Sequence, residues 1–181
     1  MSGDVILDVR DLKVSFSARR AGRKYRIQAV VGASLSLAAG EVLGIVGESG
    51  CGKTTVGRSI VRLVQPDSGA IRFAGAEMID AGGASLREMR LKVRMVFQDP
   101  YASLNPRRTI GDAVAEAGDI NGFFKSRAER SAAISATLTA VGLDPSFPSR
   151  YPYELSVGQR RRGGFARALL AAPCLAALSN Q

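Results

Sequence analysis

The stretch VLGIVGESGCGKTT, residues 42–55, constrains the chain more than any other. A continuous apolar run, as in a strand buried on both faces, meets a glycine-rich loop at once. From Lys53 the spacing turns helical, with Val56, Ile60 and Val64 on one face, and QPDSG closes the segment with a proline and a turn. Strand, glycine loop and helix form one unit. Within it Gly47, Gly52, Lys53 and Thr54 satisfy G-x-x-x-x-G-K-[ST]. Residues without a Cβ let successive backbone N–H groups turn inward around phosphate oxygens, at the positive end of the following helix. In this pattern Lys53 reaches the β and γ phosphates and the Thr54 hydroxyl takes one Mg²⁺ position. The predicted ligand is a nucleoside triphosphate, held by Gly47, Glu48, Ser49, Gly50, Cys51, Gly52, Lys53, Thr54 and Thr55. Cys51 lies at a helix N-terminus, where a thiol can be acidified, but a spacer role is the simpler reading.

The flanking sequence predicts an α/β protein. VILDVRDLKVSF alternates, and so does IQAVVGASLSL after the basic segment ARRAGRKYR, so an antiparallel N-terminal sheet is expected. AIRFAG predicts a further short strand, SLREMRLK a basic helix, and VRMVF an apolar strand ending at Gln98. Residues 101–152 read as a helical insertion: Ser126 and Glu129 have capping-box spacing, Ile134, Leu138 and Val141 line one face, and Gly142 stops the helix. RRRGGFARALLAA is a basic helix, and residues 174–178 form a last strand. Gly163 and Gly164 inside that helix cost up to roughly 2 kcal/mol against two alanines.

Composition narrows the remaining possibilities. The 181 residues, 46% of them hydrophobic, suffice for one globular domain with a real core. No apolar run approaches the ~20 residues of a membrane helix, and the charged N-terminus is unlike a signal peptide. A cytosolic protein is expected. Cys51 and Cys174 lack metal-ligand spacing, which argues for reduced thiols. The formal charge of +9 is compatible with nucleic acid, anionic lipid or a polyphosphate ligand. The basic residues lack the aromatic interleaving of a single-strand stacking platform, so no nucleic-acid partner is expected.

A P-loop identifies a ligand, and three further stretches identify a family. VFQDPYASLNPR, residues 96–107, resembles the Q-loop of ABC-type ATPases, in the wording of the oligopeptide, dipeptide and nickel importer branch. LSVGQ, comprising Leu155, Ser156, Val157, Gly158 and Gln159, resembles the ABC signature LSGGQ, and RRRGGFARALLAAP resembles the signature helix and its exit. Order and spacing agree with the family from about residue 4 to residue 178.

The resemblance implies a P-loop NTPase core of ABC type. Residues 1–100 would form the β subdomain and P-loop core, 101–152 the helical insertion, and 153–181 the signature helix and terminal strand. It implies ATP with Mg²⁺ as ligand, Gln98 as a contact to Mg²⁺ or the attacking water, and Tyr25 as the aromatic that stacks on adenine. Ser156 and Gly158 would touch the γ-phosphate bound on a second ATP-binding subunit. The implied setting is the cytoplasmic face of the inner membrane, against the transmembrane subunits of a permease that imports peptides or related small solutes.

Three features depart from the pattern. Val157 stands where the family prefers glycine, and its β-branched side chain can obstruct a partner's nucleotide. Aligned from Pro173, the family's catalytic Asp-Glu positions hold Ser179 and Asn180, with Gln181 after them, and the chain has no histidine for the later switch position. Losing general-base assistance costs a factor of about 10² to 10⁴ in rate. The expectation is a truncated or frameshifted cassette lacking its C-terminal part, ATP-binding, deficient in hydrolysis and poorly soluble alone. The alternatives are an ATP-binding pseudoenzyme that regulates an intact partner subunit, and a non-transport ABC ATPase acting on nucleic acid.

Overall fold

The computed structural model describes residues 4–20, 22–96 and 104–178. They divide into two compact units, one ending at Arg90 and one beginning at Leu91. No helix among them is long and apolar enough to cross a membrane.

The first unit is built on a four-stranded antiparallel sheet of β1 (Val5–Arg20), β2 (Arg23–Ala38), β3 (Ser68–Phe73) and β4 (Ala76–Glu77), in the order β2-β1-β3-β4. Leu7, Val9, Leu12 and Val14 of β1 all point into its core. Strict alternation would carry positions 7 and 9 to 11 and 13. An irregularity between Val9 and Leu12, with Asp11 at φ 45, shifts the parity so that Leu12 and Val14 stay inside. The segment ARRAGRKYR is not a free basic loop. Pairing runs on through Ser17↔Arg26, Ala18↔Tyr25 and Arg19↔Lys24, so the two strands form one long hairpin. Asp67 ties the turn before β3 to this hairpin: it accepts from the Ser15 hydroxyl at 2.6 Å and pairs with Arg26 at 2.9 Å.

Helix α1 (Lys53–Ile60) follows the glycine loop and buries Val56 and Ile60. It stops earlier than the apolar spacing predicts: Val61 caps it and Arg62 takes φ 57. The Arg62 guanidinium donates to the Ile79 carbonyl, which holds this break in place. Residues 42–46 do not form the predicted buried strand. They pair with no described strand, and Val42 and Val46 are 94% and 96% exposed. An apolar run becomes a buried strand only where neighbours offer hydrogen bonds on both edges, and none of the described strands flanks it.

Helix α2 (Gly83–Lys92) spans the boundary between the units. The second unit holds β5 (Val93–Val96), α3 (Ile110–Asn121), α4 (Arg127–Ala140), two single 3₁₀ turns (Phe147–Ser149 and Pro152–Glu154), α5 (Val157–Leu169) and β6 (Leu175–Leu178). β5 and β6 run parallel, with Val93 opposite Leu175 and Val96 opposite Leu178. The helices close around Leu104, Ile110, Val114, Ile134, Leu138, Phe147, Leu155 and Ala166. Their ends follow local chemistry. Thr109 and Ser126 cap α3 and α4 by accepting from the N–H groups of Asp112 and Glu129, and Gly142 takes φ 70 beyond α4. The guanidinium of Arg130 on α4 bridges Asp119 and Asp112 of α3 at 2.8 and 2.9 Å.

Candidate functional site

The phosphate-binding candidates of the first unit lie in order along one loop. Residues 47–52 run irregularly into α1, whose first residue is Lys53. Gly50 and Gly52 take φ 81 and 97, conformations that L side chains rarely adopt. Space is tightest at Gly52, where an added Cβ would lie 2.2 Å from the Ala29 carbonyl oxygen of β2. The loop is thus seated on the strand through a residue with no side chain. At the other end a Cβ on Gly47 would meet the Cys51 sulfur at 2.8 Å.

Lys53 folds back across the loop. Its Nζ donates to the carbonyls of Gly47 at 2.8 Å and Glu48 at 2.6 Å, and lies 3.6 Å from the Cys51 sulfur. An ammonium thus sits over the loop, next to the N–H groups of the first turn of α1, which have no intrahelical acceptors. Positive charge and a helix N-terminus thus lie together at this loop, the combination that favours an anionic ligand. Thr54, the metal candidate of this loop, is the second residue of α1. Among the described residues no three His, Cys, Asp or Glu side chains cluster to hold a metal. Gln98, the other metal candidate, lies outside the described residues, as do Ser179, Asn180 and Gln181.

Tyr25 stands on β2, and its relation to the loop depends on a feature that sequence reading missed. Val14 pairs with Val30 and Ser15 with Gln28, so Ala29 is an extra residue on β2, a bulge at the strand's contact with Gly52. The bulge brings Ile27 and Tyr25 onto the face of Val14 and Val30. Phe16, opposite Ile27, shares it. Beyond the core this face is open: Tyr25, Ile27 and Phe16 are each about half exposed. Tyr25 lies about 13 Å along the strand from Ala29. Phe16 and Ile27 join Tyr25 as apolar surface near the loop, and alternation alone could not place them there because the bulge breaks it.

In the second unit the LSVGQ residues form the start of α5. Leu155 is buried among the helices. Ser156 caps α5 in a reciprocal box: its hydroxyl accepts from the Gln159 N–H at 3.3 Å, while the Gln159 side chain accepts from the Ser156 N–H at 2.9 Å. Val157 is exposed. A Cβ on Gly158 would meet nothing within 4 Å. Nothing among the described residues therefore requires Gly158 to lack a side chain. Gly163 differs, because its Cβ would touch Leu104 at 3.4 Å.

A glycine loop with G-x-x-x-x-G-K-[ST] spacing, crossed by its lysine and running into a helix, is the loop of the P-loop class. The ABC transporter family profile matches residues 30–179, and the chain belongs to that family. It is 45% identical over 174 residues to the oligopeptide transport ATP-binding protein AppF of Bacillus subtilis (strain 168), covering 94% of this chain and 53% of that protein. It is 43% identical to the dipeptide transport ATP-binding protein DppF of Lactococcus lactis subsp. cremoris (strain MG1363), over 93% of this chain and 54% of the relative. The chain thus spans about half the length of the curated relatives it matches. Among solved structures it resembles the ATP-binding cassette MJ0796 in a dimeric post-hydrolysis state bound to ADP and Pi, with TM-score 0.83, 25% identity, and coverage of 96% of this chain and 73% of that one. The expected α/β cassette with an N-terminal antiparallel sheet is the fold observed.

Proposed function

We propose that this chain is the cassette portion of an ATP-binding subunit of a peptide importer. Residues 47–55 would hold the triphosphate of ATP, with Thr54 and Gln98 completing the coordination of Mg²⁺ and Tyr25 stacking on the base. Ser156 and Gly158 would face the γ-phosphate of a nucleotide held by a second ATP-binding subunit. The subunit pair would work peripherally at the cytoplasmic side of a permease's transmembrane subunits. The observation that carries the reading is the Gly52 and Lys53 geometry: a loop pressed against the Ala29 carbonyl with an ammonium closing it. Open space around Gly158 supports the second contact, because a missing side chain that no described residue requires suits close approach from outside. The importer assignment rests on the names of the relatives.

With Ser179 and Asn180 where a carboxylate pair would serve, this polypeptide is proposed to bind ATP and turn it over slowly. Calorimetric titration with MgATP tests the first half. Lys53→Ala removes charge-assisted donors, and affinity is expected to fall by roughly 10- to 100-fold. Unchanged affinity would refute the site.

A further inference from the structure

Two tyrosines directly ahead of the LSVGQ stretch keep ring surface exposed. The rings of Tyr151 and Tyr153 stack at 5.5 Å between centroids and 10° between planes. They are 37% and 69% exposed, outside the buried cluster of the second unit. The backbone beneath them is anchored at each step. Pro152 between them is buried, Tyr151 N–H donates to the Glu154 carboxylate at 2.6 Å, and Leu155 is buried on the far side. Two aromatic faces are therefore held in water by a support whose ordering cost is already met, which is the character of a pre-organised binding platform.

A planar ring is the natural partner for such a platform, and the surroundings specify its charge. Tyr153 is three residues from Ser156, so at most about 11 Å of chain separates it from the positive end of α5. Arg161 and Arg162 on the first turns of α5 are exposed, and the chain carries a formal +9. The Glu154 carboxylate is engaged by the Tyr151 N–H, and the Arg150 guanidinium covers the Phe147 ring at 4.2 Å. An aromatic base carrying an anionic tail fits this surface better than a neutral apolar segment does.

We propose that the Tyr151–Tyr153 stack receives the base of the nucleotide whose triphosphate is held by a second subunit's P-loop, so that Tyr153 is a base-binding residue supplied in trans. This rests on the reading that Ser156 and Gly158 face the partner's γ-phosphate. The two tyrosines extend that contact from the phosphate end of the nucleotide to its base.

Sedimentation velocity of this chain with MgATP, and in parallel with tripolyphosphate, which has the phosphates and no base, tests the proposal. ATP is expected to drive association more strongly than tripolyphosphate. Tyr153→Ala should weaken the ATP-driven association by roughly 5- to 100-fold for each base–aromatic stack lost, and leave the tripolyphosphate-driven association unchanged. Tyr153→Phe should restore it, and the ATP affinity of the monomer should be the same in all three. Equal losses with ATP and tripolyphosphate would show a merely structural role and overturn the proposal. So would ATP-driven association indifferent to Tyr153→Ala, which would point to a protein partner for the platform. If the unsubstituted chain fails to associate with ATP at all, the trans contact under Proposed function falls, and this placement with it.

Discussion

Gly52 shows how one residue can carry two independent constraints. Its φ of 97 disfavours any L side chain, and the Ala29 carbonyl oxygen occupies the space a Cβ would need. Either alone costs of order 1 to 3 kcal/mol, and the backbone oxygen cannot swing aside as a side chain could. Gly52→Ala is therefore expected to push the loop off β2 and to abolish MgATP binding, with circular dichroism of the helices largely retained. Gly50→Ala violates only the backbone preference, because nothing lies within 4 Å of its Cβ, and should weaken binding less. Titration of the two variants side by side checks the order, and equal effects would mean that the seat on Ala29 is unimportant. The motif was readable from spacing alone. Why the second glycine is the stricter one was not, since that depends on a bulge in a strand more than twenty residues away.

At the scale of elements, glycines inside helices divide by what they touch. On α3, a Cβ at Gly118 would lie 2.4 Å from the Phe124 ring, whereas on α5 a Cβ at Gly163 would make an ordinary 3.4 Å contact with Leu104. Overpacking at the first is expected to cost about 1 to 3 kcal/mol, while alanine's helix propensity at the second should gain up to about 1 kcal/mol. Urea melts of Gly118→Ala and Gly163→Ala should move in opposite directions. Read from sequence, Gly163 is only a weakness of its helix; the structure makes it a site where a methyl group fits in ordinary contact with Leu104.

The ion cluster joining α3 to α4 supplies a pH signature. The Thr109 hydroxyl and then Arg130 hold Asp112 below its ordinary pKa of 3.8, and Arg130 does the same for Asp119, while both carboxylates keep Arg130 firmly protonated. Carboxylates with lowered folded values stabilise the fold fully above their ordinary pKa, and that contribution is lost as the pH falls through the folded values. The groups are partly exposed, so each pair adds no more than about 1 kcal/mol. Stability measured from pH 7 to pH 3 should fall below about pH 4, and Arg130→Met should flatten that part of the curve; an unaltered acid limb would remove the cluster from the account. The helices themselves were legible because their caps are local: Ser126 with Glu129, and Gly142 after α4. The cluster was not, because Arg130 meets its partners across eleven and eighteen residues of chain.

For the molecule as a whole, the residue pattern and the pairing disagree most at residues 42–46. The composition is that of a strand enclosed by neighbours, yet Val42 and Val46 are almost fully exposed and Leu43 and Ile45 nearly half exposed. Apolar periodicity reports what a segment would bury if partners were present and carries no information on whether they are. Four apolar side chains about Gly44, beside main-chain groups that pair with no described strand, make an edge on which other chains can pair. Self-association of this chain should therefore run through this segment. Val42→Lys with Val46→Lys places two charges on it. The double variant is expected to raise the concentration at which the protein stays in solution by several-fold, while the melting temperature holds, because exposed substitutions shift stability by no more than about 0.5 kcal/mol. Light scattering across a concentration series, paired with thermal melts, separates the two effects. A variant that melts as before and aggregates as before would place the association elsewhere, with the exposed β6 residue Leu178 as the next surface to charge.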